Sequence, residues 1–330
     1  MDIKFILVTG ATGFIGAHIV DVLLAHGLRV RGATRSLAKG NEMMKARPQY
    51  KEQLEFVQIN DFENPGGLVE AVKGVDGIIH TASPFTYDTK DNERELIIPA
   101  INGVKAVFEA AAAAGASTTQ IKRIVLTSSF ASVIDVNRKT KPGSGPDGYF
   151  TYTAADWNPL SYAEAIDKST NAVVAYRGSK KFAELAAWEF IRDKKPSFDL
   201  VTLCPPMTFG PVVHPVPSVA VGEPLPVARV PFWIDVRDLA DAHVAALLRP
   251  EVGGRRYTVA APERFSYGLA AGIIKEEFVG LRERVSGGRQ DVDESHGLDG
   301  GTAGRELGFS YRGFRETVRD LVRQGVERGW

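Results

Sequence analysis

The sequence predicts an α/β fold: a doubly wound parallel sheet with a smaller C-terminal lobe. Three observations carry this reading. The chain opens on a short apolar run, Ile3–Val8, then a glycine-rich turn, Gly10-Ala11-Thr12-Gly13-Phe14-Ile15-Gly16, then at once a helical pattern. Strand-like and helix-like segments alternate from there to Cys204, as crossover connections between parallel strands require. Small and hydroxyl residues follow two of the strands, as Thr81-Ala82-Ser83 and Thr127-Ser128-Ser129, where sheets of this kind bind their ligands.

The opening segment reads as strand, turn and helix. Ile15, Ile19, Val22 and Leu23 share one helical face, and Gly27 ends the helix. Glycines let the backbone turn sharply, and they let a pyrophosphate approach the free N–H groups at the helix N-terminus. Gly10, Thr12, Gly13, Phe14, Ile15 and Gly16 are therefore candidate nucleotide contacts. The spacing is Gly-x-x-Gly-x-x-Gly, which differs from the Gly-x-Gly-x-x-Gly of most dinucleotide-binding turns. A second strand spans Leu28–Thr34, and its end is where an adenosine ribose is held. An acidic residue there would accept hydrogen bonds from the ribose of NAD. This chain offers Arg35 and Lys39 instead. Two cations suit a 2′-phosphate, so the expected cofactor is NADP(H).

Residues 40–53 are charged and helical in character, and a third strand covers Leu54–Ile59. Asp61 and Phe62 follow it as candidate adenine contacts. A short helix includes Val69–Val72, and a fourth strand runs Val75–His80. Thr81, Ala82 and Ser83 are small enough for the chain to pass close to a cofactor, and Phe85 is placed to face a substrate. His80 reads as a strand-end histidine packed or hydrogen-bonded locally. Leu96–Ala114 forms a long helix stopped by Gly115, and Ile121–Leu126 a fifth strand. Residues 135–170 are rich in glycine, proline and aromatics, including Phe150, Tyr152 and Trp157. So long a connection predicts an ordered cover over a site, with a surface insert as the alternative for 138–148.

A helix over Ala172–Arg192 carries Tyr176 and Lys180, four residues apart and so on one face. Phe198–Cys204 is a sixth strand, ended by Pro205-Pro206. A proline-rich loop covers 212–228, and a short strand covers Val230–Ile234. Asp235 caps a helix to Leu248, Arg256–Ala260 reads as a strand, and Tyr267–Phe278 and Phe314–Val326 as helices. Residues 1–204 thus form the nucleotide-binding domain, with 229–249 rejoining it; 205–228 and 250–330 form the substrate lobe.

Composition narrows the function. Lys plus Arg equals Asp plus Glu at 40 each, so the net charge is near zero, which argues against general nucleic-acid binding and against a polybasic membrane anchor. The single cysteine, Cys204, permits neither an internal disulfide nor a thiol metal cluster, and no metal is expected. No apolar run approaches the ~20 residues that span a bilayer, and the first strand begins at residue 3, before any leader could fit. The expectation is a cytoplasmic enzyme acting on a small molecule, monomeric or homodimeric.

A tyrosine ordinarily ionises near pH 10 and needs a cation beside it to act as an acid near neutrality. Lys180, one turn beyond Tyr176, supplies that cation. Ser129 is placed to hold a substrate oxygen and stabilise charge on it. Together they support hydride transfer from a nicotinamide to a carbonyl carbon, with Tyr176 as proton donor.

These motifs resemble the extended short-chain dehydrogenase/reductases, whose nucleotide domain is a Rossmann fold. Within them the chain is similar to the dihydroflavonol reductase and cinnamoyl-CoA reductase group, and nearest to its fungal aldehyde, ketone and methylglyoxal reductases. The likeness covers nearly the whole chain. It rests on VTGATGFIGAHIV, Arg35 with Lys39, HTASPF at 80–85, LTSS at 126–129, YRGSK at 176–180, PPMTFGP at 205–211 and IDVRDLADAH at 234–243. The resemblance implies NADPH, a Ser129–Tyr176–Lys180 centre with Ser128 a neighbour, and Pro205 at the nicotinamide end. Cys204 stands where many relatives have asparagine, Ala100 where many extended members have the central-helix asparagine, and Pro206 where a small or β-branched residue is usual. Asn102 lies at a different helical angle, so no fourth catalytic residue is assigned.

The expected activity is NADPH-dependent carbonyl reduction of an apolar or aromatic aldehyde or ketone, in a pocket including Phe85, Phe130, Met207 and Thr208. Two alternatives are an NAD-retaining sugar-nucleotide epimerase or dehydratase, and a non-catalytic NADP(H)-sensing protein. Arg35 and the apolar pocket count against the first, and the retained Tyr176–Lys180 pair against the second.

Overall fold

The computed structural model describes residues 2–62, 65–83, 88–115, 121–138, 150–214, 228, 230–286, 290, 292, 294 and 296–330. Its strands are β1 (Phe5–Thr9), β2 (Arg29–Thr34), β3 (Leu54–Gln58), β4 (Gly77–His80), β5 (Arg123–Thr127), β6 (Phe150–Tyr152), β7 (Asp199–Cys204), β8 (Met207–Phe209), β9 (Trp233–Asp235), β10 (Arg256–Thr258) and β11 (His296–Leu298). The helices are α1 (Phe14–Ala25), α2 (Leu37–Lys45), α3 (Pro65–Ala71), α4 (Ile98–Gly115), α5 (Tyr162–Ile166), α6 (Ala172–Lys194), α7 (Val236–Leu248), α8 (Tyr267–Glu277), α9 (Gly301–Leu307) and α10 (Phe314–Glu327).

Seven strands form one parallel sheet in the order β10-β7-β5-β4-β1-β2-β3. The order reverses between β1 and β4, so the carboxyl ends of those two strands border the ligand crevice. Side chains alternate between the two faces, as strand geometry demands. Ile6 and Val8 pack under α1 and α7 with Ile19, Leu23, Leu239 and Leu247. Leu7, Ile78 and Ile124 pack under α4 and α6 with Val107, Phe108 and Ala187. Burying side chains of this size stabilises by about 1.5–3 kcal/mol each. Contrary to the expectation that no apolar run nears the spanning length, the stretch Glu93–Ala114 is long and apolar enough by composition to cross a membrane. Its Val104, Val107, Phe108 and Ala111 lie in the core, and this packing accounts for the apolar sequence. The long helix begins with a π-helical turn, Glu93–Ile97.

Where α6, the helix of Tyr176 and Lys180, starts and stops follows from local chemistry. Asn171 caps α6 by accepting from the N–H groups of Val173 and Val174, both at 3.1 Å. Lys195 closes it in the left-handed region at φ 45°. Asp235 caps α7 as expected, accepting from Arg237 N.

The later segments form two small cores. Trp233, Phe265, Ile273, Phe314 and Val318 pack between β9, α8 and α10. Tyr152, Cys204, Val230 and Phe232 pack with Phe130 beside the pair β6–β11. The strands β6, β8 and β11, of three residues each, were not expected from the sequence. β10 joins the central sheet as its edge strand, so this part of 250–330 belongs to the sheet rather than to the smaller lobe. Segments 139–149 and 215–227, which include most of the alternative surface insert 138–148 and of the proline-rich loop, lie outside the described residues.

Candidate active site

Three turns and one helix converge at the crevice. The glycine turn is closely packed. Gly10 sits at φ +67°, and a Cβ there would lie 2.7 Å from Thr81 Oγ1. A Cβ on Gly16 would lie 2.2 Å from the Gly10 carbonyl oxygen. The N-cap of α1 is Gly13, with no side-chain cap and no acidic residue in the first turn. Its N–H groups and the positive end of the helix dipole thus suit an anion. Thr12 Oγ1 lies 3.0 Å from Thr34 Oγ1 and ties the turn to the end of β2. Just beyond stand Arg35 and, on the first turn of α2, Lys39, both exposed. The cradle that a Cβ would fill, the open helix end and the adjacent cations fit a dinucleotide bearing a 2′-phosphate.

The turn after β4 is stitched to β1 by one residue. The Thr9 hydroxyl lies 2.7 Å from His80 Nδ1 and accepts from Ala82 N at 3.2 Å, while the Thr9 carbonyl accepts from Thr81 Oγ1 at 2.7 Å. Burial, with the Lys180 charge adding to it, holds His80 down to a pKa of about 3. It is a neutral structural group, bonded as the sequence implied. Phe62 stacks edge-on against the His80 ring at 5.6 Å, and Asp61 beside it is exposed. Phe85 lies outside the described residues.

The Lys180 ammonium donates to Ser83 Oγ at 2.8 Å and lies 5.7 Å from the centre of the Tyr176 ring. Burial lowers its pKa to about 8. Ser129 and Ser128 are both buried but differently engaged. Ser128 Oγ donates to Glu184 Oε2 at 2.6 Å. Ser129 Oγ accepts from Ala131 N at 3.2 Å, which leaves its own proton to offer. Arg177 donates to the Ile134 carbonyl at 3.0 Å and lies 5.8 Å from the Phe130 ring, holding this turn against α6. Phe130 N donates to the Pro205 carbonyl at 3.0 Å. Phe130 and Pro205 are therefore neighbours, with Met207, partly exposed, and Thr208 following on β8.

The sequence did not single out the group beneath this turn. Glu184, one turn beyond Lys180, is 1% exposed. Its carboxylate accepts from Ser128, Ser132 and Thr202 and from Arg256 Nε at 2.8 Å. Burial pushes its pKa up, but Arg256 and the hydroxyls outweigh that and hold it below the usual carboxylate range. The spacing of Glu184 from Lys180 was a signal for one half of the pair; nothing local marked Arg256. Trp157, expected over the site, instead lies 3.7 Å from the Arg256 guanidinium. Cys204 is buried beside Glu184, and burial raises its thiol to about 12, so it is inert.

A second unforeseen feature is a strap over α1. His18 Nε2 lies 2.8 Å from the Pro211 carbonyl, Arg47 donates to the Val213 carbonyl at 3.1 Å, and Gln324 bonds both backbone groups of Val212. The partners are 112–193 residues apart, beyond the reach of local pattern.

The NADPH-dependent methylglyoxal reductase GRE2 of Saccharomyces cerevisiae is 32% identical to this protein over 97% of each chain. The ketoreductase azaE of Aspergillus niger is 32% identical over 98% of each. The crystal structure of Gre2 from Candida albicans in complex with NADPH superposes with a TM-score of 0.86 at 30% identity, covering 98% of this chain and 99% of that one. A family model matches residues 6–219, and by that match the chain belongs to the NAD dependent epimerase/dehydratase family.

Proposed function

We propose that the protein is an NADPH-dependent carbonyl reductase acting on small apolar or aromatic aldehydes and ketones, with Tyr176 as proton donor and Ser129 and Lys180 as its partners. The observation that carries this is Lys180. Its ammonium reaches the Ser83 turn at 2.8 Å and lies 5.7 Å from the Tyr176 ring. Helix, nucleotide turn and proton donor thus meet at one cation. The full-length likeness to GRE2 and azaE supports the same chemistry.

The glycine turn, Thr81–Ser83 and Pro205 would hold the dinucleotide, with Arg35 and Lys39 on its 2′-phosphate and Asp61 and Phe62 toward the adenine. Bound NADPH supplies the hydride. The chain's own residues do the rest. Ser129 donates a hydrogen bond to the substrate oxygen, where negative charge develops. Tyr176 passes its proton to that oxygen, and Lys180 stabilises the phenolate left behind. Phe130, Met207 and Thr208 offer a mostly apolar wall. The substrate lobe in this reading comprises 205–228 and the parts of 250–330 outside β10, in a cytoplasmic protein. A panel of carbonyl compounds, followed by loss of NADPH absorbance, tests the activity; no turnover of any aldehyde or ketone would overturn it.

Two further results are expected. Arg35→Ala raises KM for NADPH about 10- to 100-fold, the worth of a charge-assisted hydrogen bond, and leaves KM for NADH nearly unchanged. Equal losses with both cofactors would remove Arg35 from the 2′-phosphate. The rate of reduction falls as pH rises through about 8, because the Lys180 ammonium is present below that pKa and lost above it. A kcat profile flat to pH ~10, the ordinary range of lysine and tyrosine, would separate Lys180 from the proton step.

A further inference from the structure

The carboxylate of Glu184 has two oxygens with separate tasks. Oε1 faces the sheet and accepts from Thr202 Oγ1 at 2.7 Å and from Arg256 Nε at 2.8 Å. Oε2 faces the turn after β5 and accepts from Ser128 Oγ at 2.6 Å and Ser132 Oγ at 2.7 Å, on either side of Ser129. Ser132 Oγ also lies 2.7 Å from the Ser129 carbonyl. Its single proton serves one of these two acceptors at a time. Arg256 Nη2 donates to the same hydroxyl at 3.1 Å and to Oε2 at 3.2 Å. Arg256 is itself held by the carbonyls of Ala154 and Asp156, at 2.9 and 2.5 Å.

The helix that carries Tyr176 and Lys180 is thereby locked to the turn that carries Ser129. The link is a side chain on that helix, one turn past Lys180. We propose that Glu184 is a positioning residue: its Arg256-fixed carboxylate sets where the Ser129 hydroxyl stands relative to Tyr176 and Lys180. This rests on the functional reading above. A carboxylate is suited to the task because it only accepts, so the Ser128 and Thr202 hydroxyls are oriented as donors toward it, and Ser132 whenever its proton is not on the Ser129 carbonyl. Burial keeps water from competing, and Arg256 offsets the cost of burying the charge.

The test compares two deletions of the same kind. Ser132→Ala and Thr202→Val each remove one hydroxyl bonded to Glu184, one from the catalytic turn and one from the sheet. Ser132→Ala is expected to lower kcat about five- to tenfold, the effect of one hydrogen bond, with the Kd for NADPH unchanged. Thr202→Val is expected to leave kcat within about twofold, with a loss of thermal stability similar to that of Ser132→Ala. Equal kcat in the two variants overturns the proposal. A second arm uses Glu184→Gln, alone and with Ser129→Ala. Glu184→Gln is expected to lower kcat about 10- to 100-fold, and to add little once Ser129 is gone, because coupled residues are not additive. Full additivity of the two changes also overturns it. Should Glu184→Gln fail to fold, the Ser132 and Thr202 pair decides alone. Tyr176→Phe is the control for the functional reading. If it stays active, that reading falls and this proposal with it. If it is inactive while Ser132→Ala equals Thr202→Val in kcat, only the positioning role falls.

Discussion

Tyr176→Phe is expected to lower kcat by about two to four orders of magnitude, the usual contribution of a general acid, while NADPH still binds. The substitution removes one oxygen and keeps the ring. Tyr176 lies on α6, whose N-terminus is fixed by Asn171 and whose start is buried through Ala175 and Arg177. The helix therefore has no reason to move. Lys180 keeps its bond to Ser83, so the nucleotide-side contacts survive. What is lost is the proton given to the substrate oxygen. Steady-state kinetics, with NADPH fluorescence to measure binding, separates the two effects. Near-normal turnover would assign the proton to another group, and a loss of NADPH binding would make Tyr176 a binding residue instead.

Gly16→Ala is expected to be the most damaging single change in the nucleotide turn. The added Cβ would lie 2.2 Å from the Gly10 carbonyl oxygen and 2.8 Å from its carbon. Both are backbone atoms, so no side chain can swing aside. Either α1 moves off the turn or the turn opens. Forcing a methyl into a packed site costs about 1–3 kcal/mol, and here the displaced groups are those proposed to face the phosphates. The expected result is a ten- to hundredfold weaker Kd for NADPH together with a lower unfolding midpoint. Unchanged affinity would mean that the phosphates do not lie over this turn.

The sequence made the glycine turn and the Tyr176–Lys180 pair readable for the same reason: the residues that cooperate are within a few positions of one another. His80 was also readable, since a strand-end histidine needs a partner on the next strand, and Thr9 is its register neighbour. Arg35 stands exposed just beyond β2, the place that the strand order implied for it. Distance in the chain hid the rest. Glu184 meets Arg256 only once β7 and β10 are side by side. The strap at Pro211–Val213 is held by His18, Arg47 and Gln324, none of which carries a local mark of that role. Trp157 has the composition of a pocket aromatic, yet it stacks on the guanidinium of a buried ion pair. The strands β6, β8 and β11 were not read; β9 and β10 are equally short, but they lie in the runs 230–234 and 256–260 that read as strands.

The buried ion pair also sets an order of assembly during synthesis. Glu184 and Arg256 are 72 residues apart. At about 5–20 residues per second, the arginine is made roughly 4–14 s after its partner. Until then the carboxylate has not met the guanidinium that offsets its burial, and β7 is an unpaired edge. Every side chain proposed for proton transfer has been translated by residue 180, yet closing the interior beneath them at that stage would bury the carboxylate unpaired or require it to take up a proton. The centre therefore meets its buried counter-charge only after Arg256 has been made, although its own residues come earlier in the chain.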